Sequence, residues 1–185
     1  MYKNFENIDY LKNGTITQKH AYFTLTKNNI LNKLQTFDPI LVGTIPLNID
    51  IKNSDLDIIC SFQNKDAFVK EIKKEFSDNR DFKIREVIKQ SINTVIANFE
   101  TDDFEIEIFG QNIPTRQQNA YRHMMIEYHL LCERDETFRQ NIIDLKRKGY
   151  KTEPAFGIAL GLKGDPYKEL LTYEEKTMIK QFDKL

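Results

Sequence analysis

The chain has 185 residues, and its 27 lysines and arginines nearly balance its 28 aspartates and glutamates. That length suits one well-buried core and hardly two, and a formal net charge of −1 leaves no overall field to attract nucleic acid, so a basic binding surface must be local. With 40% hydrophobic residues and no apolar run of membrane-spanning length, and with no apolar secretion segment in Met1-Tyr2-Lys3-Asn4-Phe5, the expectation is a cytoplasmic globular protein that makes no use of a membrane.

In chain order, residues 5–13 read as a short helix closed by Gly14. Thr15 or Thr17 then caps a longer helix reaching about Gln35, with Ala21, Leu25, Ile30, Leu31 and Leu34 as its apolar stripe and Tyr22 and Phe23 widening it. Pro39 ends the helix and opens a strand, Ile40-Leu41-Val42. Gly43-Thr44 leads out of that strand into a loop holding Pro46 and Asn53, and a second strand covers Asp55–Phe62. Asp66–Phe76 is an amphipathic helix with Phe68, Val69, Ile72 and Phe76 inward and Lys70, Lys73 and Lys74 outward. After a turn at Asp78-Asn79, three strands follow: one in which Phe82, Ile84 and Glu86 alternate with Lys83, Arg85 and Val87, then Thr94–Phe99 and Phe104–Phe109, joined by the acidic turn Glu100–Asp103.

From Thr115 the pattern turns helical. Arg116–Glu133 reads as one helix with Ala120, Met124, Glu127, Tyr128 and Leu131 along one side, and Glu136–Lys148 as a second ended by Gly149. Pro154 and Pro166 sit where first-turn prolines belong, and Thr172-Tyr173-Glu174-Glu175 has capping-box spacing. Strands followed by helices give an α+β fold with a mixed sheet rather than a doubly wound one. The expected division is a core over 1–112 and a helical subdomain over 113–185 packed on it as one compact unit.

Three features carry chemistry. Asp55 and Asp57 alternate with Leu56 and Ile58, so a strand would point both carboxylates to one face. Paired acids beside a buried aliphatic run are costly unless a cation joins them, and oxygen ligands suit magnesium or manganese. Alone, the spacing also fits an ordinary wet strand. Gly43-Thr44, at a strand end a short loop upstream, could let backbone N–H groups and a hydroxyl approach a phosphate, although a plain turn glycine reads the same way. In Glu105-Ile106-Glu107-Ile108 the acids again share a face; Glu107 is preferred as nearer the strand end and Gly110, and whether Glu105 shares its part stays open.

On the helix from Arg116, Gln118 and Arg122 are four apart and share a face; Arg122 could meet phosphate or pair with a surface acid. His20, His123 and His129 have no metal-ligand spacing and read as structural or exposed. Lys146-Arg147-Lys148 with Lys151 could meet RNA or a triphosphate, and more simply forms a solvated helix end. Cys60 and Cys132 lie in apolar patterns and read as buried reduced thiols, with a disulfide as the alternative. The sequence holds no CxxC, HExxH or Walker-type phosphate loop.

Gly43-Thr44, ten further residues and Asp55-Leu56-Asp57-Ile58, with an acid on a later strand, resemble the signature of the nucleotidyltransferase superfamily typified by DNA polymerase beta. The longer string Pro39–Cys60, with Glu107-Ile108-Phe109-Gly110 and Gln118–Met124, resembles a small bacterial family of unknown function placed in that superfamily, and the abundance of Lys, Asn and Ile fits an AT-rich bacterial genome. Thr44 stands where Ser or Gly is usual. The resemblance implies a nucleotidyltransferase-like mixed sheet with flanking helices and a C-terminal helical subdomain. It implies that Asp55 and Asp57 hold two magnesium ions and that Glu107 ligates the one activating an acceptor hydroxyl. Gly43, Thr44, Ser54 and Arg122 would bind the nucleoside triphosphate.

The function implied is metal-dependent transfer of a nucleoside monophosphate from a triphosphate to an unknown acceptor on a small molecule, a protein or an RNA end. The chain is short for a processive polymerase, so a nucleic-acid acceptor is not favoured. Two other readings stand beside it: a binding or regulatory protein on the same scaffold, toxin–antitoxin-like, and a plain α+β module whose acids decorate its surface.

Overall fold

The computed structural model describes residues 4–89 and 91–173. Five strands form one mixed sheet in the order β1-β2-β5-β4-β3: β1 Ile40–Val42, β2 Leu56–Ser61, β3 Arg80–Lys89, β4 Ile92–Glu100 and β5 Glu105–Gln111. Only β2 and β5 run parallel; every other neighbouring pair is antiparallel. A parallel pair needs a long crossover, and the connection leaving β2 starts with the helix α4, Lys65–Phe76.

Alternation gives the sheet two different faces. One carries Leu56, Ile58, Ile106, Ile108, Val95, Ala97 and Phe99, all buried against Leu25, Ile30, Phe68, Ile72 and Phe76. These come from α1 (Ile16–Lys27), α2 (Ile30–Lys33) and α4. The other face is apolar only in part. Ile40, Val42 and Ile59 pack with Met124, Leu131, Ile142 and Phe156, which belong to α5 (Asn119–Glu133), α6 (Glu136–Arg147) and α7 (Thr152–Leu160). Beyond β5 the same face carries half-buried Asn98 and exposed Lys83 and Arg85. The helical layer thus covers one side of that face and stops, leaving a step in the middle of the sheet.

Several expectations need correction. Residues 5–13 form a 3₁₀ turn only over Asp9–Asn13. Thr15 caps α1 in a full capping box with Gln18, but the expected continuous helix breaks after Lys27, because Asn29 takes a left-handed φ of 55°, which asparagine tolerates. Phe23 does not widen the stripe; it is 57% exposed. The segment after Gly43 is a one-turn helix, α3 (Thr44–Leu47), rather than loop. The helix expected from Arg116 begins as a 3₁₀ turn at Thr115–Gln117 and becomes α-helical at Asn119. Gln118 sits before that helix, and its Nε2 donates to the carbonyls of Cys60 (2.8 Å) and Ile113 (3.1 Å), which ties α5 to the sheet. Cys60 is buried, but Cys132 is exposed, and both are free thiols. Thr172 lies inside a helical segment, 166–173, rather than starting one, and Glu174 and Glu175 of that motif lie outside the described residues. Among the described residues no helix is long and apolar enough to cross a membrane.

Candidate active site

Register decides which acids meet. In the parallel pair β2–β5, Asp57 is the direct partner of Glu107, and on β4 Glu107 is the direct partner of Asn98. Adjacent strands lie about 4.8 Å apart, so both acids stand side by side at the step where the helical layer ends. Glu107 is the third of seven residues in β5, not near the strand end as expected; its pairing with Asp57 is what sets it in the site. Asp55 is exposed and directly precedes β2. It lines an adjoining groove with Glu105, Glu107, Asn98 and Arg85.

Asp57 is half-buried, and its carboxylate rests on the turn leaving β1. Gly43 has φ 84° and ψ −152°, a conformation reserved almost entirely for glycine. A Cβ at this position would lie 2.4 Å from Asp57 Oδ2. The glycine therefore makes room for the aspartate itself. Burial first, then the charges of Asp55 and Glu107, push the Asp57 carboxyl up to about 8, with Lys146 opposing. Glu107 is steadied from the open side: its Oε2 accepts from Asn98 Nδ2 at 3.3 Å and lies 3.8 Å from an Arg85 guanidinium nitrogen. Asn98 Nδ2 also donates to Glu105 Oε1 at 3.2 Å.

Thr44 donates its hydroxyl to Ser54 Oγ at 3.4 Å, and that oxygen accepts from the Ile51 N–H at 3.0 Å. Ser54 is therefore a brace across the loop that delivers Asp55. The stretch between is gripped from two sides. Gln18 Nε2 donates to the carbonyls of Ile45 (2.8 Å) and Pro46 (3.3 Å). From α6, Arg139 donates to Leu47 (2.6 Å) and Asn48 (3.4 Å), and Lys146 Nζ to Ile49 (2.8 Å).

Between the sheet and the helical layer lies a cleft of about 280 Å³, lined by Gly43, Thr44, Asp57 and Glu107 on one side and by Ala120, His123, Met124, Glu127, Thr152 and Glu153 on the other. Arg122 and Ser54 do not line it. Sequence reasoning missed two residues here. Glu127 is buried, and that burial, then Glu153, hold its carboxyl well above the usual range, with Lys146 opposing. The sequence places Lys146 at a solvated helix end; instead burial pulls its amine down to about 8, with Glu127, Asp50, Asp55 and Asp57 opposing. The signal for Glu127 was an acid inside the apolar stripe of Met124, Tyr128 and Leu131. Of the histidines, His123 is a buried brace whose Nδ1 lies 3.4 Å from Glu153 Oε1 and whose Nε2 lies 2.9 Å from the Tyr167 carbonyl. Burial works against ionisation of Glu153, but the hydrogen bond from His123 holds its carboxyl below the ordinary range.

Whether these residues suit a metal can be judged from the donors. Three carboxylates, two of them raising the proton affinity of Asp57 between them, form an oxygen-only set of the kind magnesium or manganese prefers. Among the described residues, however, no three His, Cys, Asp or Glu side chains have donor atoms already gathered about one point. The acids fit in chemistry and strand placement; to hold an ion together their carboxyl groups must turn, and Glu107 must loosen its contact with Asn98.

The sequence profile of a domain of unknown function, DUF4269, matches residues 23–173. The chain belongs to that family. No match is found among curated proteins. Solved structures show what this DUF4269 protein is similar to in fold. The Cid1 poly(U) polymerase with MgGTP bound aligns at a TM-score of 0.55 and 13% identity, over 77% of this chain and 48% of that one. A cytoplasmic RNA terminal U-transferase aligns at 0.51 and 12%, over 71% and 41%. The GLD-2/RNP-8 complex aligns at 0.52 and 15%, over 85% and 63%. The DUF4269 chain therefore has the nucleotidyltransferase fold, an α+β mixed sheet with flanking helices and further helices after it, and it spans about half the length of the first of these structures.

Proposed function

We propose that this DUF4269 protein is a metal-dependent nucleotidyltransferase, moving a nucleoside monophosphate from a triphosphate to an acceptor hydroxyl as the bond to the β-phosphate breaks and pyrophosphate leaves. The observation that carries the reading is the register pairing of Asp57 with Glu107 beside the Gly43 turn, at the foot of a cleft. In this reading residues 1–112 are the nucleotidyltransferase-like core, and the helical subdomain 113–185 supplies the acceptor side. Asp55, Asp57 and Glu107 hold magnesium or manganese, and the bound metal supplies charge neutralisation where the transferred phosphate reacts. The chain's own residues orient: the Gly43 backbone and the Thr44 hydroxyl face the phosphates, Glu107 stands nearest the incoming hydroxyl to receive its proton, and the cleft excludes competing water. Two RNA-extending enzymes share the fold, but the near-neutral net charge here favours a small-molecule or protein acceptor. A cytoplasmic bacterial setting fits this reading.

The test is a labelled-nucleotide transfer screen with Mg²⁺ and Mn²⁺ over small hydroxyl and amine compounds, tRNA and the protein itself. Transfer should occur with a divalent ion and vanish in Asp57→Asn while the fold persists; full activity in that variant would remove Asp57 from the chemistry. A second reading, a binding or regulatory protein with little catalysis, draws on Glu107 already being engaged by Asn98 and Arg85. Calorimetry separates the two: a catalytic site binds a nucleoside triphosphate only with the metal.

A further inference from the structure

The wall of the cleft opposite the acid pair carries a group that nucleotide transfer as described leaves unused. Glu127, on α5, is 4% exposed and lines the cleft, and its Oε1 has no hydrogen-bond partner. A buried carboxyl oxygen left in that state is costly, and an apolar side chain at this position would pack at less expense. Lys146, whose charge acts on it, gives its Nζ to the Ile49 carbonyl instead. Glu153, from α7, adds a second carboxylate to the same wall. Among the described residues Lys89 is the one lysine or arginine that lines the cleft, and it belongs to β3, on the sheet side.

We propose that this wall recognises the acceptor through a primary ammonium group: the acceptor is a small molecule bearing a hydroxyl, offered to the acid pair, and an amine seated against Glu127 in the field of Glu153. This rests on the transferase reading and names the class of its acceptor. An ammonium brings three N–H donors and a positive charge, which is what a carboxyl group with an unpartnered oxygen beside Glu153 lacks. Met124 and Phe109, also on the lining, offer apolar contact to the carbon skeleton between the two polar ends. An RNA end would fare worse, because its phosphates would have to enter among carboxylates with one lysine to meet them. Burial and Glu153 together favour the protonated Glu127 carboxyl, against Lys146 from α6, and a docked ammonium favours release of that proton.

The experiment is calorimetric titration of the full chain, free of nucleotide and metal, with 1,3-diamino-2-propanol and with glycerol as its uncharged counterpart. The diamine should bind at least about tenfold more tightly than glycerol and weaken as salt rises. Its binding heat should change with the ionisation heat of the buffer, reporting the released proton. Glu127→Gln should lower diamine affinity about tenfold and abolish the buffer dependence. Ala120→Lys, at an exposed position on the cleft rim, should also lower the affinity without disturbing the core, and it judges the idea even if the Gln variant folds badly. Equal binding of glycerol, or diamine binding unchanged in both variants, would overturn the inference. Diamine binding without nucleotide transfer to any acceptor would sink the transferase reading alone. Transfer to RNA or neutral alcohols, without diamine binding, would sink the amine subsite alone.

Discussion

Replacing Asp57 by asparagine should make the metal-free protein more stable, and increasingly so as pH rises. The Asp57 carboxyl ionises near 3.8 in an unfolded chain and near 8 in the folded one, because burial and the charges of Asp55 and Glu107 oppose its ionisation. The folded state therefore binds the extra proton between those values, and stability contributed by the protonated form is complete below about pH 4 and is lost as pH climbs towards 8. At pH 7 the group stands roughly 3 pH units above its unfolded value, which at about 1.4 kcal/mol per unit sets an upper bound of ~4 kcal/mol. Asp57 is only half-buried and Asp55 is exposed, so solvent screening brings the expected gain to ~1–2 kcal/mol. Asparagine keeps the shape and never ionises. Urea unfolding of both proteins in chelator at pH 4.5, 6 and 7.5 measures the difference directly. The two curves should nearly coincide at pH 4.5 and separate with each step. A variant no more stable than the parent at pH 7.5, or a gap that narrows as pH rises, would refute the electrostatic account of the site. Added magnesium should then stabilise the parent and leave the asparagine variant unmoved, as expected for an ion that binds only the folded acids.

Gly43→Ala should cost about 1–3 kcal/mol from its backbone conformation alone, plus the displacement of Asp57 by the new methyl group; pairing it with Asp57→Ala should recover only the second part, read from urea midpoints of the four proteins in the cycle. Gln18→Ala strips the buried Ile45 carbonyl of its donor and breaks the capping box on Thr15, for an expected loss of ~1–3 kcal/mol in the same assay. Phe68→Ala empties a fully buried site where the ring meets Phe37 at 4.8 Å and Phe62 at 5.3 Å; thermal unfolding should report a loss of ~3–5 kcal/mol, and a loss below ~1 kcal/mol would mean that the core under the sheet is not packed as described.

The elements that sequence reveals best are those whose burial follows a simple period. Phe68, Ile72 and Phe76 mark α4, and the alternations at 55–58 and 105–108 mark β2 and β5 and put each pair of acids on one face. What alternation cannot supply is register: that Asp57 partners Glu107 depends on a crossover through α4, β3 and β4. The break at Asn28-Asn29 and the single turn of α3 are illegible for a different reason: asparagine tolerates both helical and left-handed backbone, and one turn is too short to show a period. Lys146 shows the limit most plainly. In the run Lys146-Arg147-Lys148 its neighbours are exposed while it is buried, and its amine is claimed by a carbonyl 97 residues away. Glu127 was nearer to being readable, because an acid at helical spacing among Met124 and Leu131 already contradicts a plain apolar stripe.

The backbone from Ile45 to Ile49 is moored to α1 through Gln18 and to α6 through Arg139 and Lys146. Mechanically this leaves little slack. If α5–α7 rocked against the sheet, residues 47–49 would be towed along, and with them the short tether that ends at Asp55. Gaping of the crevice and placement of that aspartate are then a single coordinate rather than two, so whatever fills the space between the layers also adjusts the acid at its mouth.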